Sequence, residues 1–222
     1  MIKQKKSSLQ EALLWDTLGL LVSSGVPILQ ALNVLKETFP KYSAVITDIH
    51  SSVREGDSIS GALNKYEGSF HPIVYPLLDI GEQTGAFPET LSKSAELIRK
   101  EIDYSVNLRK AVGTKDFTKL IFYTSSAVLV DAGLPLLRTL RVSERIPALK
   151  DMRNDLSKIC ESVEQGSTFS EAMKNRPKYF NSFDANMVKA GEIGGALEVV
   201  LKRLADYTER RLFDSKKYHT FY

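Results

Sequence analysis

The 222-residue sequence contains one cysteine, Cys160, so no disulfide can close within a single chain and a reducing compartment suits it. Its three histidines, His50, His71 and His219, share no motif and have no cysteine or histidine at ligand spacing, which argues against a zinc site. No glycine-rich phosphate loop leads into a lysine, and no serine lies in a nucleophile elbow, so neither nucleotide hydrolysis nor serine catalysis is supported. Net charge is only +3, with a pI near 8.8, which is weak ground for a general electrostatic grip on nucleic acid. Long apolar runs are missing too. Trp15, Asp16 and Thr17 interrupt the stretch after Met1–Lys6, and no small-residue cleavage site follows, so a signal peptide is not expected. Between Leu120 and Leu137, the residues Thr124, Ser125, Ser126, Asp131, Gly133 and Pro135 break a segment that would have to cross about 30 Å of hydrocarbon. The chain as given is expected to be soluble.

What the sequence does have is an internal repeat. Gly81, Glu82, Gln83, Thr84, Gly85 recurs 110 residues later as Gly191, Glu192, Ile193, Gly194, Gly195. The same offset takes Gly56 to Gly166, Ala62 to Ala172, Phe70 to Phe180, Leu91 to Leu201 and Ala95 to Ala205. Upstream, an offset of 108 takes Gly25, Pro27 and Leu29 to Gly133, Pro135 and Leu137. A fixed offset held over this many positions marks a duplication. With 43% hydrophobic residues the chain can bury one or two cores, and the repeat favours two domains, 1–112 and 113–222.

No stretch alternates as a strand does; the apolar residues recur at helical spacing. Leu14, Leu18, Leu21 and Val22 share a face, and Gly25 with Pro27 predicts a tight corner in which Pro27 sits in the first turn of the next helix. Ile28, Ala31, Leu32 and Leu35 predict a second helix. Tyr42, Ile46, Ile49 and Val53 predict a third, matched by Met152, Leu156, Ile159 and Val163, a pattern that also makes Cys160 a buried thiol. Short fourth helices follow Gly56 and Gly166. Thr168 and Glu171 have capping-box spacing, whereas Gly61 leaves the first copy half a box. Fifth helices place Ile73, Leu77 and Leu78, and correspondingly Phe183, Met187 and Val188, inward. A long sixth runs from Pro88 to Arg109 through Leu91, Ala95, Ile98 and Ile102. The fold class is therefore all-α: two tandem homologous six-helix bundles. Tyr104 to Lys119 reads as a linker broken at Gly113 and Thr114. Its residues Arg109, Lys110, Lys115 and Lys119, like Arg203, Arg210, Arg211, Lys216 and Lys217, read as solvated cations. The alternative is an approach to an anionic membrane surface.

Glu82 and Glu192 are the carboxylates that invite a functional reading. Each stands beside glycines at a helix end, where it can accept backbone hydrogen bonds, meet a partner, or serve a cation or acid–base chemistry; the first is favoured. Gly81, Gly85, Gly191 and Gly195 allow either close helix approach or positive φ.

Taken together, Gly25-Val-Pro-Ile-Leu-Gln-Ala-Leu32, Gly133-Leu-Pro-Leu-Leu137, Gly56-Asp-Ser-Ile-Ser-Gly-Ala-Leu63, Gly81-Glu-Gln-Thr-Gly85 and their second copies resemble the F domain of type II secretion systems, shared with platform proteins of type IV pilus assembly. The resemblance covers almost the whole chain. It implies a non-enzymatic platform without cofactor or metal, at the cytoplasmic face of the bacterial inner membrane. It further implies a homo-oligomer whose partners are an assembly ATPase, pilin or pseudopilin, and other inner-membrane assembly proteins, with no role for nucleic acid. Gly25, Pro27, Gly133 and Pro135, with the six residues of the glycine–glutamate corners, are the candidates for structural or partner contacts. In that family membrane-spanning helices separate the two domains, yet none is evident between Lys100 and Lys119 or after Tyr222. Membrane contact is thus expected through segments absent from this chain: either it is a natural soluble relative, or two cytoplasmic domains have been joined after removal of the membrane parts. The second is favoured because basic residues at both ends resemble positive-inside flanks. A soluble helical adaptor is the other class of function. Gly194 in place of Thr84, and Thr139 in place of Ala31, leave the halves free to bind different partners.

Overall fold

The computed structural model describes residues 2–66, 68–107 and 114–219, and among these residues there are helices and no strand. The chain forms two compact units, Met1–Ile102 and Asp103–Tyr222. In order, α1 (Ile2–Ser23), α2 (Ile28–Thr38), α3 (Ser43–Arg54), α4 (Ile59–Asn64), α5 (Val74–Thr84) and α6 (Phe87–Asn107) are followed by α7 (Thr114–Asp131), α8 (Leu136–Ser143), α9 (Arg153–Glu164), α10 (Phe169–Lys174), α11 (Ser182–Gly194) and α12 (Leu197–His219). One 3-10 turn precedes α3 (Pro40–Tyr42) and another precedes α9 (Pro147–Leu149). The compact units divide after Ile102, upstream of a 112/113 division, with the last turn of α6 grouped in the second.

The α1–α2 and α7–α8 corners are built alike. Gly25 and Gly133 take φ of 83° and 94°. That lets Val26 donate to the Leu21 carbonyl at 3.0 Å and Leu134 to that of Leu129 at 2.9 Å, closing both helix ends with Schellman bonds. Pro27 was expected within the next first turn, and Pro135 is its counterpart. They stand one place earlier, as the residues preceding each helix, at ψ of 140° and 143°. Their carbonyls take the amides of Ala31 and Thr139, so a proline, which has no N–H to lose, turns the chain into the helix.

Each core gathers aromatic rings that include the repeated phenylalanine, Phe70 or Phe180. In the first unit Phe70 meets Trp15 edge-on at 5.1 Å and stacks on Tyr42 at 5.6 Å. In the second, Phe122 has the rings of Tyr123 and Phe180 at 5.5 Å and of Phe169 at 6.5 Å. Full burial of one such ring is worth about 1.5–3 kcal/mol. On α6, Leu91, Ala95 and Ile98 are buried as the periodicity requires, while Ile102 is half-buried. Cys160 is buried, and desolvation raises its thiol to about 11, so at neutral pH it is an apolar space-filler.

Three expectations are corrected. Thr114 starts α7 instead of breaking a helix, while Gly113, Arg109 and Lys110 lie outside the described residues. Lys119, read as a solvated linker cation, is buried on α7. Phe183, placed inward by its equivalence to Ile73, is 48% exposed. The physical reason is the start of α11, where Asn181 and Asp184 form a reciprocal capping box. That box turns Asp184 and Ala185 inward and Phe183 out.

Candidate functional site

The repeated corner assigns separate tasks to its glycines. Gly85 and Gly195 end α5 and α11 in the left-handed region, at φ of 76° and 63°, with open space around each. Gly81 and Gly191 lie inside their helices, buried. A methyl group on Gly81 would come within 2.1 Å of Thr90 Oγ1 and 3.0 Å of Phe87 Cα; on Gly191 it would meet Val200 Cγ2 at 2.9 Å. The fifth and sixth helices of each unit therefore touch through a glycine, and a second glycine lets the chain turn between them.

The glutamates one residue on reach back across the bundle. Glu82 Oε1 accepts the Ile59 amide at 2.6 Å and Oε2 the Ser60 amide at 2.9 Å; Glu192 takes those of Phe169 and Ser170 at 2.6 and 3.3 Å. These amides open α4 and α10, each only six residues long. A helix N-terminus presents unpaired N–H groups and partial positive charge, and a carboxylate satisfies both. Ser58 accepts the Gly61 amide at 3.0 Å, and Thr168 with Glu171 completes a capping box, so the short helices are held from two sides. Both oxygens of Glu82 and Glu192 already serve as acceptors. Chemically the arrangement anchors a helix; it does not present an idle base.

A second pair of equivalent positions was not singled out from sequence. Glu11 on α1 is buried and accepts the His71 amide at 2.6 Å and Trp15 Nε1 at 3.4 Å, and desolvation raises its carboxyl above 4.5 against those bonds. The 108-residue offset puts Lys119 at this place in α7, where it pairs with Asp184; Asp184 in turn accepts the Asn181 amide, the equivalent of His71, at 2.8 Å. One unit satisfies that amide with a carboxylate from its first helix. The other uses a carboxylate from its fifth helix, neutralised by a lysine from its first. Burial, and then the nearby Asp184, push the Tyr123 phenol well above its usual value. Charge at matched positions of both apolar faces was the available signal.

His71 Nε2 lies 2.8 Å from Glu101 Oε2, and His50 lies 3.4 Å from the Asn33 amide nitrogen; the two share no site. Among the described residues no group of three or more His, Cys, Asp or Glu is placed to hold a metal ion, and no helix is long and apolar enough to cross a membrane. The candidate residues thus fall into two separate corners per unit: Gly25 and Pro27 apart from Gly81, Glu82 and Gly85, and likewise Gly133 and Pro135 apart from Gly191, Glu192 and Gly195.

Comparison with known proteins matches residues 14–113 and again 122–220 to the family described as type II secretion system (T2SS), protein F. A type IV pilus assembly protein PilC of Myxococcus xanthus is 33% identical over 131 residues, 58% of this chain and 31% of that protein. A type II secretion system protein F of Xanthomonas campestris is 36% identical over 109 residues, 48% of this chain and 27% of its own. The PilC of Pseudomonas aeruginosa is 24% identical over 205 residues, 86% of this chain and 55% of that relative. The chain thus aligns with about a quarter to about a half of the length of these relatives.

Proposed function

Because this chain belongs to the type II secretion system protein F family, we propose that it is a non-catalytic platform of a type IV pilus or type II secretion machine. Its two bundles bind a cytoplasmic assembly ATPase and couple it to the assembly of pilin or pseudopilin subunits at the inner membrane. The observation that carries the reading is the double match of the family to both helical units, with relatives named for pilus assembly and for secretion. The occupied carboxylates support a role without catalysis: at each corner the acid that a hydrolase would need free holds a helix terminus instead. A scaffold needs its contact surfaces held in a fixed geometry, and paired caps and glycine contacts in both copies supply that.

Titration of the intact chain against the assembly ATPase of the same organism tests the proposal. Binding with a dissociation constant at or below the micromolar range is expected. No binding up to about millimolar concentration, with helical circular dichroism intact, would count against it.

A further inference from the structure

Two faces of the repeated bundle differ in exposure between the units, and in opposite senses. On α1, Leu9 and Leu13 are 46% exposed, whereas their equivalents Phe117 and Ile121 in α7 are core residues; Leu20, 67% exposed, corresponds to the half-buried Val128. On the fifth and sixth helices the order reverses. Ile73, Leu77, Ile80 and Leu97 are buried in the first unit; in the second, Phe183, Ala190 and Tyr207 are exposed and Met187 is half-buried. Each chain therefore displays one open copy of each face, and each face is of a kind that this fold buries elsewhere.

The two open faces also differ in charge. The groove beside Leu13 and Leu20, about 740 Å³ in volume, is lined by Glu89 and by Asp16, itself paired with Arg99, and by no cation. On the other face the rings of Phe183 and Tyr207 touch at 5.2 Å. Arg203 and Arg210 stand one turn before and one turn after Tyr207 on α12, exposed and without an ion pair among the described residues; Asp206 and Glu209 lie on the same helix and line a shallow pocket with Arg210, and Glu209 accepts from the Tyr104 hydroxyl. Exposed aromatic side chains flanked by arginine have the composition of an interface centre.

We propose that the Phe183–Tyr207 face of one copy docks into the Leu13–Leu20 groove of a second copy, head to tail. The inference rests on the platform reading, in which copies assemble, and specifies the surfaces. The apolar side chains leave water, and Arg203 and Arg210 meet the Glu89 side of the groove, which orients the encounter. Because the contact joins two different faces, an open assembly keeps a free groove at one end and a free aromatic face at the other, so it grows until it closes as a ring or runs on.

Sedimentation velocity and light scattering of the full chain, without ATPase or filament subunit, test the contact. Self-association rising with concentration and weakening with salt is expected. Tyr207→Glu and Leu20→Glu, both at exposed positions, are each expected to weaken it at least about tenfold. Mixed in equal amounts, the two variants should form 1:1 dimers that do not grow, since Tyr207→Glu keeps its groove and Leu20→Glu keeps its aromatic face. Arg203→Glu and Glu89→Arg form a second pair that alters charge alone: each by itself should associate more weakly than the wild type, and because the reversed charges complement each other, their mixture should recover association. A monomeric wild type, variants that associate as the wild type does, or a mixture that stays monomeric would overturn the proposal. With the ATPase absent, such a failure leaves the platform reading to the ATPase titration.

Discussion

Lys119 on α7 and Asp184 on α11 form an ion pair whose side chains are 8% and 2% exposed. A pair this deep is weak ground for net stability, because desolvating both charges offsets their attraction, but it is costly to break from one side. Lys119→Met should therefore destabilise the second unit by about 3–5 kcal/mol. Asp184→Asn in the same chain should recover most of that loss, since asparagine can still accept the Asn181 amide while the stranded charge is gone. Chemical denaturation of the single and double variants checks this. A double variant no more stable than Lys119→Met would refute it.

The glycines of the repeated corner should fail differently. Gly81→Ala drives a methyl group into Thr90 and the α6 backbone, so overpacking should cost about 1–3 kcal/mol, more than at Gly191, where the nearest atoms belong to the Val200 side chain. Gly85→Ala has room for its methyl group and should lose only the left-handed backbone term, about 1–2 kcal/mol. Thermal melts of the three variants establish the order.

Much of this was legible from periodicity and offset: two bundles, glycine corners, and a full capping box at Thr168 opposite half of one at Ser58. What escaped were charges inside apolar faces. Lys119 lies among basic residues near a glycine, so composition reads it as linker, and only its alignment with Glu11 marks it as a core position. Phe183 escaped because hydrophobicity alone cannot reveal that the Asn181–Asp184 box rotates the start of α11. The long reach of Glu82 to Ile59 was beyond sequence as well, since nothing local ties residues 23 apart.

Acid should affect the first unit through Glu11. Its carboxyl keeps a proton to higher pH when folded than when unfolded, so its contribution is full below about pH 4.5 and is lost as pH rises through the folded value. Glu11→Gln retains an acceptor for the His71 amide and removes the titration. Stability measured between about pH 4 and pH 7, the range in which a raised carboxyl titrates, should fall less steeply in the variant than in the wild type.

The caps of the short helices should be unequal in worth. Thr168→Ala removes one half of a capping box and should cost about 1 kcal/mol. Ser58→Ala, which has no reciprocal glutamate to lose, should cost less, and matched urea titrations would show the difference.

The duplicated glutamates anchor the short helices of both bundles. Glu192→Gln tests this directly when unfolding free energy and ATPase affinity are measured on the same preparation. Replacing the charge that holds the Phe169 and Ser170 amides should lower stability by about 1.5–3 kcal/mol while leaving the affinity of the folded chain unchanged. Unaltered stability with affinity lost would contradict it and make Glu192 a contact residue instead.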